Sequence, residues 1–495
     1  MRYVRYVVIA ALIVTTCTIA IGQEAAKVVA DGISAFEHGD KTKAKLLFER
    51  ALKADRRNVD AHTYLGMLAA DANELKEAEQ HFASAASLAP SEPSIRNNYG
   101  AILMRLGRTA QACTEFEASL KLNANQPSAL TNLAQIYFDR GQPDNLRMAR
   151  SLFERALKSV SDPEISRALV VTYLKLGQAL IEKGSSDEAI AELSSALALD
   201  PKNPDVVLNL SRAQMLNKNL RAAGRTLESA VARGLDDAKI YAALAEVYEA
   251  DGHFENAIPA MRLAVQRDPQ NEMYHFRYGL LLTDSHAPAA GIVRLQEALK
   301  QFPNSARLWL ALGIAQLTYG QNVEAENSFK RSLKLNPKLV PALAYLGVTY
   351  AERGGYDMAI GFYEQAIAFN AQLGPLYYLA ADTILKMSSP DTTRAEKYLR
   401  RATELDQTLA GAYLTWGRLY VRENRYTEAA PLLERAVSLQ PELVEAHYQL
   451  SRVLVKLKRP DEANRELGIF KQLSEKQKAQ NESREIVRRL ANVRF

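Results

Sequence analysis

The chain has 495 residues, with 62 Lys and Arg against 57 Asp and Glu, a formal net charge of +5 and two cysteines. Charge so nearly balanced, with both signs interspersed, gives no electrostatic footprint for nucleic acid, and two cysteines cannot form a disulfide framework. Apolar residues make up 47% of the sequence, enough for extensive burial along a long chain.

At the start, Arg2 and Arg5 precede an apolar run from Tyr6 to Ile21, and Ala20-Ile21-Gly22 is a small-x-small site ahead of Gln23. Residues 1–22 are therefore expected to be a cleavable secretory signal peptide, which places the mature protein in the periplasm or outside the cell. As a helix the run reaches roughly 24 Å, short of the roughly 30 Å hydrocarbon core; the alternative is an uncleaved N-terminal anchor. Thr16 before Cys17 is larger than a bacterial lipoprotein signal would require, which argues against lipidation. Cleavage leaves Cys113 as the one cysteine, with no partner in the chain, and its place beside a seam of small residues predicts a buried, inert thiol.

From residue 25 onward one pattern recurs, clearest at 306–339. With Ala306 as position 1, Trp309, Leu312 and Gly313 stand at 4, 7 and 8, Gly320 at 15, Ala325 at 20, Phe329 at 24, Ser332 at 27 and Pro337 at 32. Large apolar residues at helical intervals give each of two helices a sticky face, and small residues let the backbones approach. Gly320 ends the first helix and Pro337 the second. The spacing recurs from Ala25, Val59, Pro93, Pro127, Val170, Pro204, Ala238, Glu272, Ala306, Val340, Gly374, Ala410 and Val444. Thirteen copies, with short insertions near Pro143, at 164–169 and near Pro390, fill 25–477. Position 8 is always Gly, Ala or Ser; position 20 is Ala except for Gly291; position 27 is Ala or Ser until Phe470 in the last copy.

This pattern resembles the tetratricopeptide repeat (TPR) family, with Gln316 where the family has Tyr. The resemblance implies an all-α fold, a right-handed α-solenoid superhelix of about thirteen helix-turn-helix units. The expected organisation is a signal peptide (1–22), an N-terminal arm of repeats one to four (23–163), a C-terminal arm of repeats five to thirteen (164–477) and a capping helix (478–495). Helical spacing of Ile165, Leu169, Tyr173, Leu176 and Leu180 predicts that the insertion at 164–169 lengthens the first helix of repeat five. That insertion is either a hinge between the arms or an ordinary longer helix.

In TPR proteins positions 2, 5, 6, 9, 12 and 13 of the first helix face the concave groove. Carried over, they place Asn97, Asn98, Thr131, Asn132, Gln135 and Asn209 in an early polar stretch, suited to the backbone of an extended peptide. Asn98, Asn132 and Asn209 share position 6, similar to the asparagine ladder of O-linked glycosylating enzymes, though Lys175 and Ala243 break the series. Next, Phe276, Leu280, Leu310 and Ile314 form an apolar stripe that fits a partner helix or hydrophobic peptide, unless adjacent repeats cover it. Last, Tyr378, Arg418, Tyr448 and Arg452 make a basic, aromatic stretch for an acidic tail or terminal carboxylate; the resemblance to the chaperone-binding carboxylate clamp is partial.

In the C-terminal segment Ile486, Leu490 and Val493 share one helical face, as expected of a solenoid cap, and its positive charge is compatible with a peripheral contact to a membrane or envelope complex. No phosphate loop, His-Glu-x-x-His, Cys-x-x-Cys or Gly-x-Ser-x-Gly occurs, and the seven histidines show no ligand spacing. The sequence thus predicts a non-catalytic scaffold with no cofactor, metal or nucleic acid, binding protein or peptide partners in its groove. The alternative is a structural component of an envelope assembly, such as exopolysaccharide export or pilus biogenesis, docking through its ends and convex face.

Overall fold

The computed structural model describes residues 24 and 26–491, with side chains through 476. The signal peptide lies outside those residues, and the apolar face expected at Ile486, Leu490 and Val493 lies outside those with described side chains. Among the described residues there are 26 α-helices and no strand, two helices for each of the thirteen repeats. Within each unit, paired helices form hairpins stacked on their neighbours in sequence. The fold is an all-α solenoid. The chain divides into two compact units, residues 1–251 and 252–495, with the boundary in the turn of repeat seven. The arm boundary expected at 163/164 is not where the packing divides: the helices Pro143–Ser159 and Pro163–Glu182 pack together inside the first unit.

The recurring small residues have a direct steric cause. A Cβ at Gly66 would lie 2.9 Å from the Phe82 ring, at Gly100 2.7 Å from Phe116 and at Gly417 2.7 Å from Leu433, so in the repeats with Gly at position 8 the side chain at position 24 rests on bare backbone. Ala325 and its counterparts at position 20 are buried from Ala44 to Ala463, closing the same seam. The exception, Gly291, is explained by its neighbours: a Cβ there would meet Thr283 Oγ1 at 2.7 Å and the Gly279 carbonyl at 2.9 Å. At position 27, Ser119 and Ser332 replace Ala without cost because each hydroxyl donates at 2.7 Å to the carbonyl of position 1 in its own repeat, Pro93 and Ala306.

In twelve of the thirteen repeats the turn between the paired helices uses a left-handed residue at position 15. Seven are glycines, Gly320 at φ 88 among them, and five are Asn73, Lys218, His286, Asn424 and Lys458. Between successive repeats the side chain at position 4 caps the preceding helix end, donating to the carbonyl six residues back: His62 to Arg56 at 3.2 Å, Arg96 to Pro90 at 2.9 Å, Trp309 to Pro303 at 3.0 Å, Tyr377 to Ala371 at 3.2 Å and His447 to Pro441 at 2.8 Å. The acceptor is a main-chain carbonyl, which any residue supplies, so Pro at position 32 can come and go.

In the first unit, the helix Pro163–Glu182 runs 20 residues, against 13 or 14 in most others. The inserted residues 164–169 are helical, as their spacing predicts, and add about 9 Å of helix at 1.5 Å per residue. At the other end of the chain the second helix of repeat thirteen continues without a break from Pro460 to Ala491, so the C-terminal segment is an extension of that repeat.

Candidate functional site

The extended helix of repeat five walls a hollow of about 530 Å³ in the first unit. Its near wall is the helix Pro127–Arg140 of repeat four, which contributes Thr131, Asn132 and Gln135; its far wall is Asp162, Glu164, Ile165 and Ala168; Met104 and Phe153 add apolar surface. Pro127 starts the near helix and Pro163 the far one, each at the first helical turn where a missing N–H costs nothing. Asp162 caps the far helix, accepting at 2.7 Å from the Glu164 N–H.

The polar groups of the hollow are held in place from behind. Asn97 is only 7% exposed, so it cannot meet a ligand; its Oδ1 accepts from Asn132 Nδ2 at 3.2 Å and its own amide reaches Asn98 Oδ1 at 3.5 Å. Asn132 thereby keeps its carbonyl oxygen and a second N–H for the hollow. Thr131 Oγ1 donates to the carbonyls of Pro127 and Ser128, both at 3.0 Å, and Gln135 Nε2 donates to Asp139 at 2.7 Å. Glu164 and Asp162 leave the rim acidic; an ion pair there, Glu164 to Arg167 at 3.9 Å, joins two well-exposed side chains and contributes little. The arrangement offers amide donors and acceptors, a hydroxyl, an apolar floor and an acidic edge.

Of the early polar residues, Thr131, Asn132 and Gln135 therefore come together, Asn97 and Asn98 support them, and Asn209 does not join them. Asn209 Nδ2 turns back to the Asp205 carbonyl of its own helix at 2.8 Å. The wall residues Glu164, Ile165 and Ala168 were legible only as an insertion, and Asp162 not at all.

In the second unit the expected apolar stripe is largely core. Leu310 is 5% exposed and packs with Ala325, Phe329 and Leu346, with Ile314 partly buried against them. Phe276 and Leu280 pack on the cluster around Leu295 and Leu312. Helix spacing alone cannot distinguish a groove position from one covered by the next repeat. The basic, aromatic stretch is better exposed. Tyr378 is half-buried with its hydroxyl against Gly411, where a Cβ would lie 3.0 Å away, and burial raises its pKa. Arg452 lies over the Tyr448 ring at 5.7 Å, and Tyr448 packs on Phe470 at 5.1 Å. Near Tyr378 and Arg418, Asp382 pairs with Lys386 at 2.7 Å, so the stretch is not purely basic.

One contact escaped sequence reasoning. His62 and His81 face each other, Nδ1 to Nδ1, at 3.0 Å. Cys113 is buried as expected, with Arg140 Nη2 3.7 Å from its sulfur; burial raises its pKa.

Models of the tetratricopeptide repeat match residues 29–126, 144–271, 279–339 and 420–469, more than half of the chain. The chain is a tetratricopeptide-repeat protein. TPR arrays are scaffolds that mediate protein contacts, and the relatives are spread accordingly. The chain is 24% identical over 184 residues to a BBSome complex member BBS4 homolog of Drosophila melanogaster, covering 35% of this chain and 38% of that one. It is 30% identical over 152 residues to cellulose synthase operon protein C of Escherichia coli K12, covering 28% of this chain and 13% of that one. These two matches span well under half of the relatives' own length. Among solved structures, yeast Tom70 aligns with a TM-score of 0.45 at 17% identity, over 88% of this TPR chain and 97% of Tom70. Among the described residues no helix is long and apolar enough to cross a membrane.

Proposed function

We propose that this TPR protein is a non-catalytic scaffold that grips an extended peptide segment of a protein partner in the hollow between repeats four and five. The observation that carries the reading is the far wall: inserted residues extend the helix Pro163–Glu182 so that Asp162 and Glu164 stand opposite Thr131, Asn132 and Gln135. A peptide backbone presents alternating donors and acceptors, which paired amides and a hydroxyl match, and the carboxylates select a Lys or Arg in the bound segment. Export through residues 1–22 would place this capture in the periplasm or outside the cell; mass spectrometry of the native N-terminus tests it by showing Gln23 or an intact leader.

Panning a random peptide library against the protein tests the grip. Selected peptides should carry a basic residue, bind more weakly as salt rises, and lose at least tenfold in affinity with Asn132→Ala or with Asp162→Asn combined with Glu164→Gln. Selection of peptides indifferent to all three substitutions would sink this reading. A second reading, a structural part of an envelope assembly such as exopolysaccharide export, draws on the local similarity to cellulose synthase operon protein C. In that case the hollow variants would leave assembly intact, while changes at the exposed Tyr448 and Arg452 of the last repeat would disrupt it.

A further inference from the structure

Positions 4 and 23 of a repeat meet across the hairpin, 19 residues apart, and in repeats two, three and thirteen the two ionisable side chains there contact each other; repeat eight also has an ionisable pair, His275 and Arg294. In repeat three Arg96 Nη1 donates to Glu115 Oε2 at 3.0 Å; in repeat thirteen His447 Nδ1 lies 2.6 Å from Glu466 Oε2. Repeat two places two imidazoles there instead, His62 and His81, with ring centres 5.3 Å apart. Where repeats three and thirteen join a donor to a carboxylate, two basic nitrogens face each other in repeat two, and they can be joined only through something positive between them: a shared hydrogen or a metal ion. We propose that His62 and His81 bind one divalent transition-metal ion of tetrahedral preference, Zn²⁺, with water in its remaining positions. This site is independent of the peptide-binding hollow.

The geometry fits such an ion. With metal–nitrogen bonds of about 2.05 Å, two imidazoles at a tetrahedral angle put their nitrogens about 3.3 Å apart and their ring centres about 5.2 Å apart, whereas a right-angled site needs centres at about 4.5 Å. The observed centres already match the tetrahedral value, so the rings need only tilt off their head-on line and part the nitrogens by a few tenths of an ångström. The outer contact is also in place. His62 Nε2 lies 3.2 Å from the Arg56 carbonyl, which can only accept, so the ring hydrogen sits there and Nδ1 presents its lone pair. In the metal-free protein His81 supplies the bridging Nδ1–H. On binding, that hydrogen leaves to solvent while Nε2 takes one up, so a neutral His81 ends neutral. Burial lowers the His81 pKa from the usual imidazole value. Of the nearby charged groups, Glu77 and Glu49 favour a cation at His81 and Lys45, paired to Glu77 at 3.3 Å, opposes it. Among the described residues no cluster of three His, Cys, Asp or Glu forms, so the ion keeps water ligands and exchanges, unlike a closed structural site.

The test uses the full chain without a polyhistidine tag, titrated with Co²⁺ as a spectroscopic probe and with Zn²⁺ by calorimetry. The expected result is intense visible absorption of tetrahedral Co²⁺, displaced by Zn²⁺ at one ion per chain. His81→Gln and His62→Gln should each weaken binding at least tenfold, while His275→Gln, which alters another position-4 imidazole, should not. Far-ultraviolet circular dichroism checks that the variants keep their helix content; the wild-type cobalt spectrum stands without them. No absorption or heat up to millimolar metal, or equal affinity in His81→Gln, overturns the proposal.

Discussion

A Cβ added at Gly347 would lie 2.5 Å from the Tyr363 ring, which is 1% exposed and cannot retreat. Gly347→Ala should therefore cost about 1–3 kcal/mol, the usual range for overpacking a core. Gly361 is the internal control. It sits in the helix Tyr356–Phe369 with nothing within 4 Å of its virtual Cβ, so Gly361→Ala should add about 0.5–1 kcal/mol by removing backbone freedom from the unfolded chain. Thermal melts of both proteins check the sign; equal shifts would refute the steric account. A second residue, Glu326, is 14% exposed and accepts from Lys330 at 2.6 Å, Tyr350 at 2.8 Å and Arg353 at 2.6 Å. The Lys330 hydrogen bond, then that of Tyr350, lowers its pKa against the opposing effect of burial. A depressed carboxylate stabilises the fold fully above the unfolded carboxyl value, and the benefit is lost as pH falls through the folded one. Glu326→Gln should thus cost about 1–2 kcal/mol near neutral pH, discounted because Lys330 and Arg353 are half-exposed, and the deficit should shrink in acid. Melting the pair across that range is the measurement, and a pH-independent deficit would contradict it.

At the level of the helical element, the inserted residues 164–169 make the clearest claim. Deleting them would put Val170, position 1 of repeat five, directly behind Pro163 and restore a hairpin of ordinary length. Helix content should fall only by the residues removed, while the far wall of the hollow, Glu164 to Ala168, disappears. Circular dichroism with peptide titration separates the two effects: retained binding would move the site elsewhere. This element also shows how much was legible beforehand. Its helicity followed from Ile165, Leu169 and Tyr173, because side-chain periodicity reports local structure directly. Its role as a wall did not, since that depends on what lies opposite across a neighbouring repeat. Leu310 failed for the same reason: a groove position and a covered one share the same helical phase. The His62–His81 meeting was hidden because contacts at 19 residues join two helices, a spacing outside any single-helix rule, and became readable only beside Arg96–Glu115 and His447–Glu466. Turns were half-legible. Gly320 announces a left-handed residue, but Lys218 at φ 59 does not, and Lys218→Gly should relieve roughly 1 kcal/mol of strain, visible as a higher melting temperature.

For the whole molecule, solenoid packing replaces one shared core by a series of local ones. Buried clusters such as that of Leu130 and Phe153 lie within the first unit, and that of Leu399 and Leu433 within the second. Stability is then a sum of repeat and nearest-neighbour terms, and a defect loosens its own surroundings before distant ones. Gly347→Ala places such a defect in the second unit, against Tyr363. Hydrogen exchange followed by mass spectrometry should show faster exchange in peptides from 252–476, greatest around repeats nine to eleven, with peptides from 26–251 unchanged. The mirror experiment, Gly100→Ala against Phe116, should reverse the pattern. Were either substitution to raise exchange evenly along the chain, the thirteen repeats would unfold as one cooperative body, and the division at Asp251 would mark a difference in packing without an energetic boundary.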